Sequence, residues 1–182
     1  MSRQFWSETL SWAVADGSAI SATTNETIIF PNITIPANYM QDGRALRFTL
    51  MGRHTSAGQT FIFRTRWGGV SGTALAASPT MTGPTATAGL FKYEGIIQTR
   101  SNGSSGTLFV MTESWVCDDA AMTSGNATSC PAVGLGGSAG DDTPAAITVD
   151  LTADTALSQT CQFGTAGSNA LTGHIMILEG LN

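Results

Sequence analysis

Two adjoining runs with a side-chain period of two constrain this chain more than any other feature. In the second run, Phe61, Phe63, Thr65 and Trp67 share one parity, and Ile62, Arg64 and Arg66 share the other. In the first, Leu46, Phe48 and Leu50 alternate with Arg47, Thr49, Met51 and Arg53. Successive side chains of a strand point to opposite faces, whereas a helix repeats every ~3.6 residues, so both runs read as strands with one apolar face. "SAG" (56–58) supplies a turn between them. The two strands are expected to pair, which would gather four arginines on the face away from the core.

The rest of the chain carries the same signal. "TIIFPNITIP" (27–36) is extended, and its Pro31 confines it to an edge or splits it into two short pieces. "GTALAAS" reads as a short strand and "SPTMTGPTATAG" as a loop. "LFKYEGIIQTR" (90–100) and "TLFVMTESWV" (107–116) form a pair across the Gly/Ser turn "SNGSSG". "AITVDL", "ALSQTCQF" and "LTGHIMILEGL" close the chain. Helical spacing occurs only near residues 4–14, where Trp6, Leu10 and Val14 recur every four positions, and the same stretch also reads as an irregular arm. Residues 117–145 show neither period, which is long for a connection inside one domain. About eight strands at intervals near ten residues, without helices between them, predict an all-β fold. The expected form is one β-sandwich or jelly-roll domain (16–182) with an N-terminal arm (1–15) and a long loop at 117–145.

Charge narrows the function. Only 12% of the residues are charged, against about a quarter in an average globular protein. Such a surface suits a protein covered by neighbours. The net charge of −5 argues against nucleic acid as a partner, which calls for a basic field. Arginine occurs seven times and lysine once, at Lys92. Arginine is favoured where a cation is partly desolvated and paired, as in interface cores, although a GC-rich genome would produce the same bias. No run approaches the ~18 apolar residues of a membrane span, and the opening "MSRQFWSETLSWAVADGS" lacks a secretory pattern, so synthesis and assembly in a cytoplasm are expected. Three cysteines, Cys117, Cys130 and Cys161, do not make a disulfide framework, though Cys117 and Cys130 could close a loop.

Catalytic parts are scarce. His54, at a turn, and His174, in the last strand, have no carboxylate or cysteine partners at metal-ligand spacing, and no metal or cofactor is expected. "GGSAG" (136–140) matches the G-x-S-x-G string, but it lies in a Gly/Ser-rich stretch without the strand-turn-helix context of a nucleophile elbow. Asp118-Asp119 and Asp141-Asp142 bracket the long loop and read as turn-formers before they read as calcium ligands. Glu94, Glu113 and Glu179 lie in separate strands, where cross-strand pairing with arginine is the ordinary role. No catalytic residue is assigned and the chain is not expected to be an enzyme.

Arg47, Arg53, Arg64 and Arg66, with Met51 and Ile62 among them, have the mixed basic and apolar profile of a protein–protein contact. An ordinary solvated face paired with Glu94 or Glu113 is the competing reading. The segment "NETIIFPNITIPANYMQDGRALRFTLMGRHTSAGQTFIFRTRWGGVSGTAL", with the terminal "LTGHIMILEGLN", resembles small virion structural proteins of tailed bacteriophages. The likeness covers about a third of the chain. It consists of a strand ending in "IPAN", an acidic-glycine turn, an "LR-T-GR" strand and an "F-FR-RWGG" strand.

The resemblance implies a jelly-roll virion component, often trimeric, that decorates and cements a capsid or sits in a tail or fibre. On this reading the partners are the major capsid protein and two further copies of the chain, and the location is the capsid surface. The contact residues would be Phe5, Trp6 and Trp12 of the arm together with the arginine face. The alternative is a receptor- or carbohydrate-binding jelly-roll module of a tail or fibre, with Trp115, Tyr93 and Tyr39 as sugar platforms and Asp118-Asp119 holding calcium.

Overall fold

The computed structural model describes residues 7–117, 132–136 (backbone only) and 145–181. Among them there is no helix. Fourteen strands follow in order: β1 (Ser7–Trp12), β2 (Ile20–Ser21), β3 (Thr27–Ile28), β4 (Ile33–Ile35), β5 (Ala45–Ala57), β6 (Thr60–Trp67) and β7 (Thr73–Ala77). Then come β8 (Met81–Thr82), β9 (Thr85–Ser101), β10 (Gly106–Val116), β11 (Ala132–Gly136), β12 (Ile147–Val149), β13 (Thr155–Phe163) and β14 (Ala170–Leu181). Pro31 does divide its segment, into β3 and β4.

The strands form two antiparallel sheets packed face to face, a β-sandwich. The first has the order β1-β14-β5-β9-β10, and the second β7-β6-β13-β3. β11 pairs with β10 on one side and β7 on the other, joining the sheets along one flank. The predicted β9–β10 hairpin is present, with Phe109 opposite Gln98.

Several expectations are overturned. β11 lies inside the stretch 117–145 read as a long loop, β8 and the start of β9 lie inside "SPTMTGPTATAG", and β1 makes part of the arm 1–15 an edge strand of the first sheet. β5 and β6 do not pair: β5 lies between β14 and β9, whereas β6 lies between β13 and β7. The turn between them carries the chain from one sheet to the other, with Gly58 at φ +84°, a conformation that side chains with a Cβ disfavour. The four arginines are therefore divided between the outer faces of two sheets. The helical spacing at 4–14 is likewise a strand where it is described. β1 carries a bulge between Thr9 and Ser11 that restores Trp12 to the outer face beside Ile177.

Aromatic side chains hold the sheets together. Phe63 of the second sheet stacks on both Phe91 and Tyr93 of the first, at ring-centre distances of 5.6 and 5.3 Å. Phe48 and Tyr93, and Phe61 and Phe163, make further tilted contacts, and all six rings are buried. Gly52 leaves room for this layer, because a Cβ there would lie 2.6 Å from Phe91 Cε1. The Tyr93 hydroxyl spans the core to Thr65 Oγ1 at 2.8 Å, so the one polar atom that this ring brings inside is satisfied. Replacing it by Tyr93→Phe is expected to lower unfolding free energy by about 1–2 kcal/mol, because Thr65 loses its partner. Adding Thr65→Val should recover part of that loss, and urea unfolding of the single and double variants checks both.

Candidate interaction surface

The outer face of the second sheet uses its arginines internally. Arg64 and Arg66 alternate outward on β6, and beside them Ser158 and Thr160 project from β13. Glu26, in the segment that leads into β3, lies over all of them. Its carboxylate accepts from Arg66 Nε at 2.5 Å and Nη2 at 2.6 Å, from Arg64 Nη1 at 3.2 Å and from Thr160 Oγ1 at 2.5 Å. Arg66 also donates to the Gly72 carbonyl, and Arg64 to Gln162. Burial alone would raise the Glu26 carboxyl. Hydrogen bonds from Arg66 and Thr160, with the charges of Arg66 and Arg64, outweigh it and hold the group below the ordinary glutamate value. These two arginines are thus held within the chain. Neither Glu94 nor Glu113 is their partner, since both glutamates belong to the other sheet.

The first sheet presents a different outer face. Side chains in register across it form rows: Thr9, Glu179, Arg47, Ile96 and Met111; then Trp12, Ile177, Thr49, Glu94 and Glu113; then Ile175, Met51, Lys92 and Trp115. Arg53 and Leu90 pair at one end, and Gln98 and Phe109 at the other. Six large apolar side chains of this face, Met51, Leu90, Ile96, Met111, Ile175 and Ile177, are 37–48% exposed. The remaining two large apolar side chains exposed among the described residues are Trp12 and Val14, at the β1 margin of the same sheet. The outer face of the second sheet contributes none.

Most charged groups of the first face have a partner within it, two pairs of them as ion pairs. Arg47 Nε donates to Glu179 Oε2 at 2.8 Å, Lys92 Nζ to Glu94 Oε1 at 2.6 Å, and Trp115 Nε1 to Glu113 Oε1 at 2.8 Å. Arg100 lies over the Phe109 ring, 4.9 Å from its centre. Arg53 has no ion-pair partner among the described residues. Two shallow depressions cross the face: one of about 660 Å³ over Ile96, Phe109 and Met111, and one of about 450 Å³ over Met51, Leu90, Trp115 and Ile175.

At the β1 margin, Glu8 accepts from Tyr39 Oη and from Arg44 Nη2, the latter at 2.6 Å, and the Arg44 guanidinium lies 3.7 Å from the Tyr39 ring centre. This cluster fixes the edge strand to the loop before β5.

The sequence-predicted contact residues thus separate. Arg47, Arg53 and Trp12 share the open face, Arg64 and Arg66 are consumed by Glu26, and Phe5 and Trp6 lie outside the described residues. Of the sugar platforms, Tyr93 is fully buried and Tyr39 is engaged by Glu8 and Arg44, which leaves Trp115. His54 is a core residue of β5 and not a turn residue. Its Nε2 meets the Cys117 carbonyl at 2.8 Å, and burial depresses its pKa, opposed in part by that hydrogen bond. His174 Nδ1 lies 2.9 Å from Asp16 Oδ1. No group of three or more His, Cys, Asp or Glu gathers at one point among the described residues. The acidic pairs 118–119 and 141–142, Cys130, and most of "GGSAG" lie outside the described residues.

Glu26→Gln is expected to destabilise the protein at neutral pH by about 2–4 kcal/mol, because two arginines lose their counter-charge in a half-buried site. A lowered folded-state pKa means that the wild-type contribution is complete above the unfolded value, near 4.5, and is lost as pH falls through the folded value. The stability gap between wild type and variant should therefore close on acidification, as thermal or urea unfolding across pH 7 to 3 would record. In comparison with known proteins, no family model, no curated protein and no solved structure matches the chain.

Proposed function

We propose that this protein is a structural component of a virus particle, most concretely a capsid decoration protein that stabilises the shell through protein–protein contacts. The observation that carries the assembly role is the segregation of exposed apolar side chains: all eight large ones among the described residues lie on one sheet face or its margin. Contiguous apolar surface of this kind marks a binding site, and its ion pairs, closed within the face, reduce the desolvation cost of covering it. The viral setting comes from the sequence resemblance to tailed-phage virion proteins. The proposed partner is the major capsid protein, the proposed location the capsid surface, and the chain works by contact without catalysis. The receptor- or carbohydrate-binding reading is the weaker one, because two of its three aromatic candidates are engaged in packing.

Quantitative mass spectrometry of purified particles tests the proposal. A copy number in simple proportion to the major capsid protein is the expected result, and absence from particles would overturn it. Ile96→Asp combined with Met111→Asp should reduce incorporation about tenfold or more, since the two side chains are neighbours in one row of the face and two carboxylates there would have to be desolvated on contact. The two positions are half exposed, so the variant should remain folded by circular dichroism.

A further inference from the structure

We propose that the occupant of the open face is a second copy of this chain, packed on it face to face about a two-fold axis. This inference rests on the reading of that face as an assembly surface and adds which molecule covers it; contact with the capsid then falls to the rest of the dimer's surface, and incorporation depends on the face through the dimer.

Three observations lead there. The first is size. Five strands about 4.8 Å apart, with about 27 Å between the Leu90 and Gln98 positions, outline roughly 650 Å² of projected area. Side-chain relief adds to that figure, which brings the face near the ~800 Å² that each partner contributes to a standard interface. A single docked peptide would cover only a strip of it, whereas a second sheet of the same dimensions covers it all.

The second is charge. The face carries four cations, Arg47, Arg53, Lys92 and Arg100, and three carboxylates, Glu94, Glu113 and Glu179, and so is close to neutral on a chain of net charge −5. A strongly acidic or basic partner would find most of these groups already engaged with one another. Another copy presents the same interspersed signs and the same apolar positions, and two such faces meet with little long-range repulsion.

The third is symmetry. A ring of copies, including a trimer, requires a heterologous contact in which one patch meets a different patch on the next copy. Among the described residues no second patch of exposed large apolar side chains exists: the opposite sheet's outer face is occupied by Glu26, Arg64 and Arg66. A single patch that serves both partners is the signature of an isologous, two-fold contact. The geometry points to dimers, or to even-numbered assemblies built from them.

Sedimentation velocity of the full chain at several concentrations is the test, with two variants. Wild type is expected to sediment as a dimer. Ile96→Asp with Ile177→Asp should sediment as a monomer at the same concentrations, with an unchanged circular dichroism spectrum. Thr34→Asp, on the exposed side of the short edge strand β4, should leave the dimer intact. A monomeric or trimeric wild type would overturn the inference. So would a dimer that survives the Ile96/Ile177 pair, or one that Thr34→Asp dissociates. Particle incorporation is read separately: a dimer absent from particles removes the virion reading and leaves this one standing. A monomer found in particles removes this one and leaves the virion reading.

Discussion

The layer of stacked rings between the sheets is the constraint on which the rest depends. Phe63 lies against Phe91 and Tyr93, and that contact sets β6 beneath β9. With β6 so placed, its inward residues fill the core and its outward ones, Arg64 and Arg66, must face away from it, where only a neighbouring segment can supply a counter-charge. The same packing turns Met51, Ile96 and Met111 of the opposite sheet outward. Period two leaves no third option: whatever is not directed at the rings is directed at solvent or at a partner. The open face is thus a consequence of how the core is filled.

The two outer faces then follow different physical rules. On the second sheet, a single carboxylate with two guanidiniums and a threonine hydroxyl makes a closed set of hydrogen bonds, and the chain covers its own polar surface. On the first, short ion pairs neutralise charge within the face while the apolar side chains between them stay uncovered. Solvated charge resists burial and bare hydrocarbon resists exposure, so a face of paired charge and exposed hydrocarbon is suited to being covered.

The sequence made the faces legible but not the sheets. Alternation in 46–53 and 61–67 assigns each residue to an inward or outward side correctly, yet it is silent on which sheet a strand joins and stops short of the buried His54 and Ser56 of β5. Arg47 meets Glu179 and Arg64 neighbours Thr160, partners about a hundred residues away or more, and no local pattern encodes those distances. The turn after β5 is short enough for a hairpin, and only the destination of β6 shows that it is a crossing. The spacing of Leu10 and Val14 mimics a helix although Leu10 lies in β1 and Val14 beyond its end, and the bulge between Thr9 and Ser11 leaves no periodic trace. Glu26 has no spacing signal at all. Its one hint was the pair of arginines on β6, which called for a carboxylate without saying where it stood.

The bridging strand β11 makes the sandwich asymmetric in a way that bears on its motions. One flank is stitched by backbone hydrogen bonds running from β10 through β11 to β7, like the spine of a book. Among the described residues the opposite flank has no such strand. There Gly17, Ile29 and Phe30 tuck between the sheets, and the short strands around them are secured by two carboxylates, Glu8 on β1 and Glu26 beside β3. Local opening has its hinge at the spine and its clasps at the carboxylates. Amide exchange should therefore begin among β1 to β4 and reach β9 and β10 last, so that the edge nearest the N-terminus is the part of the fold that breathes.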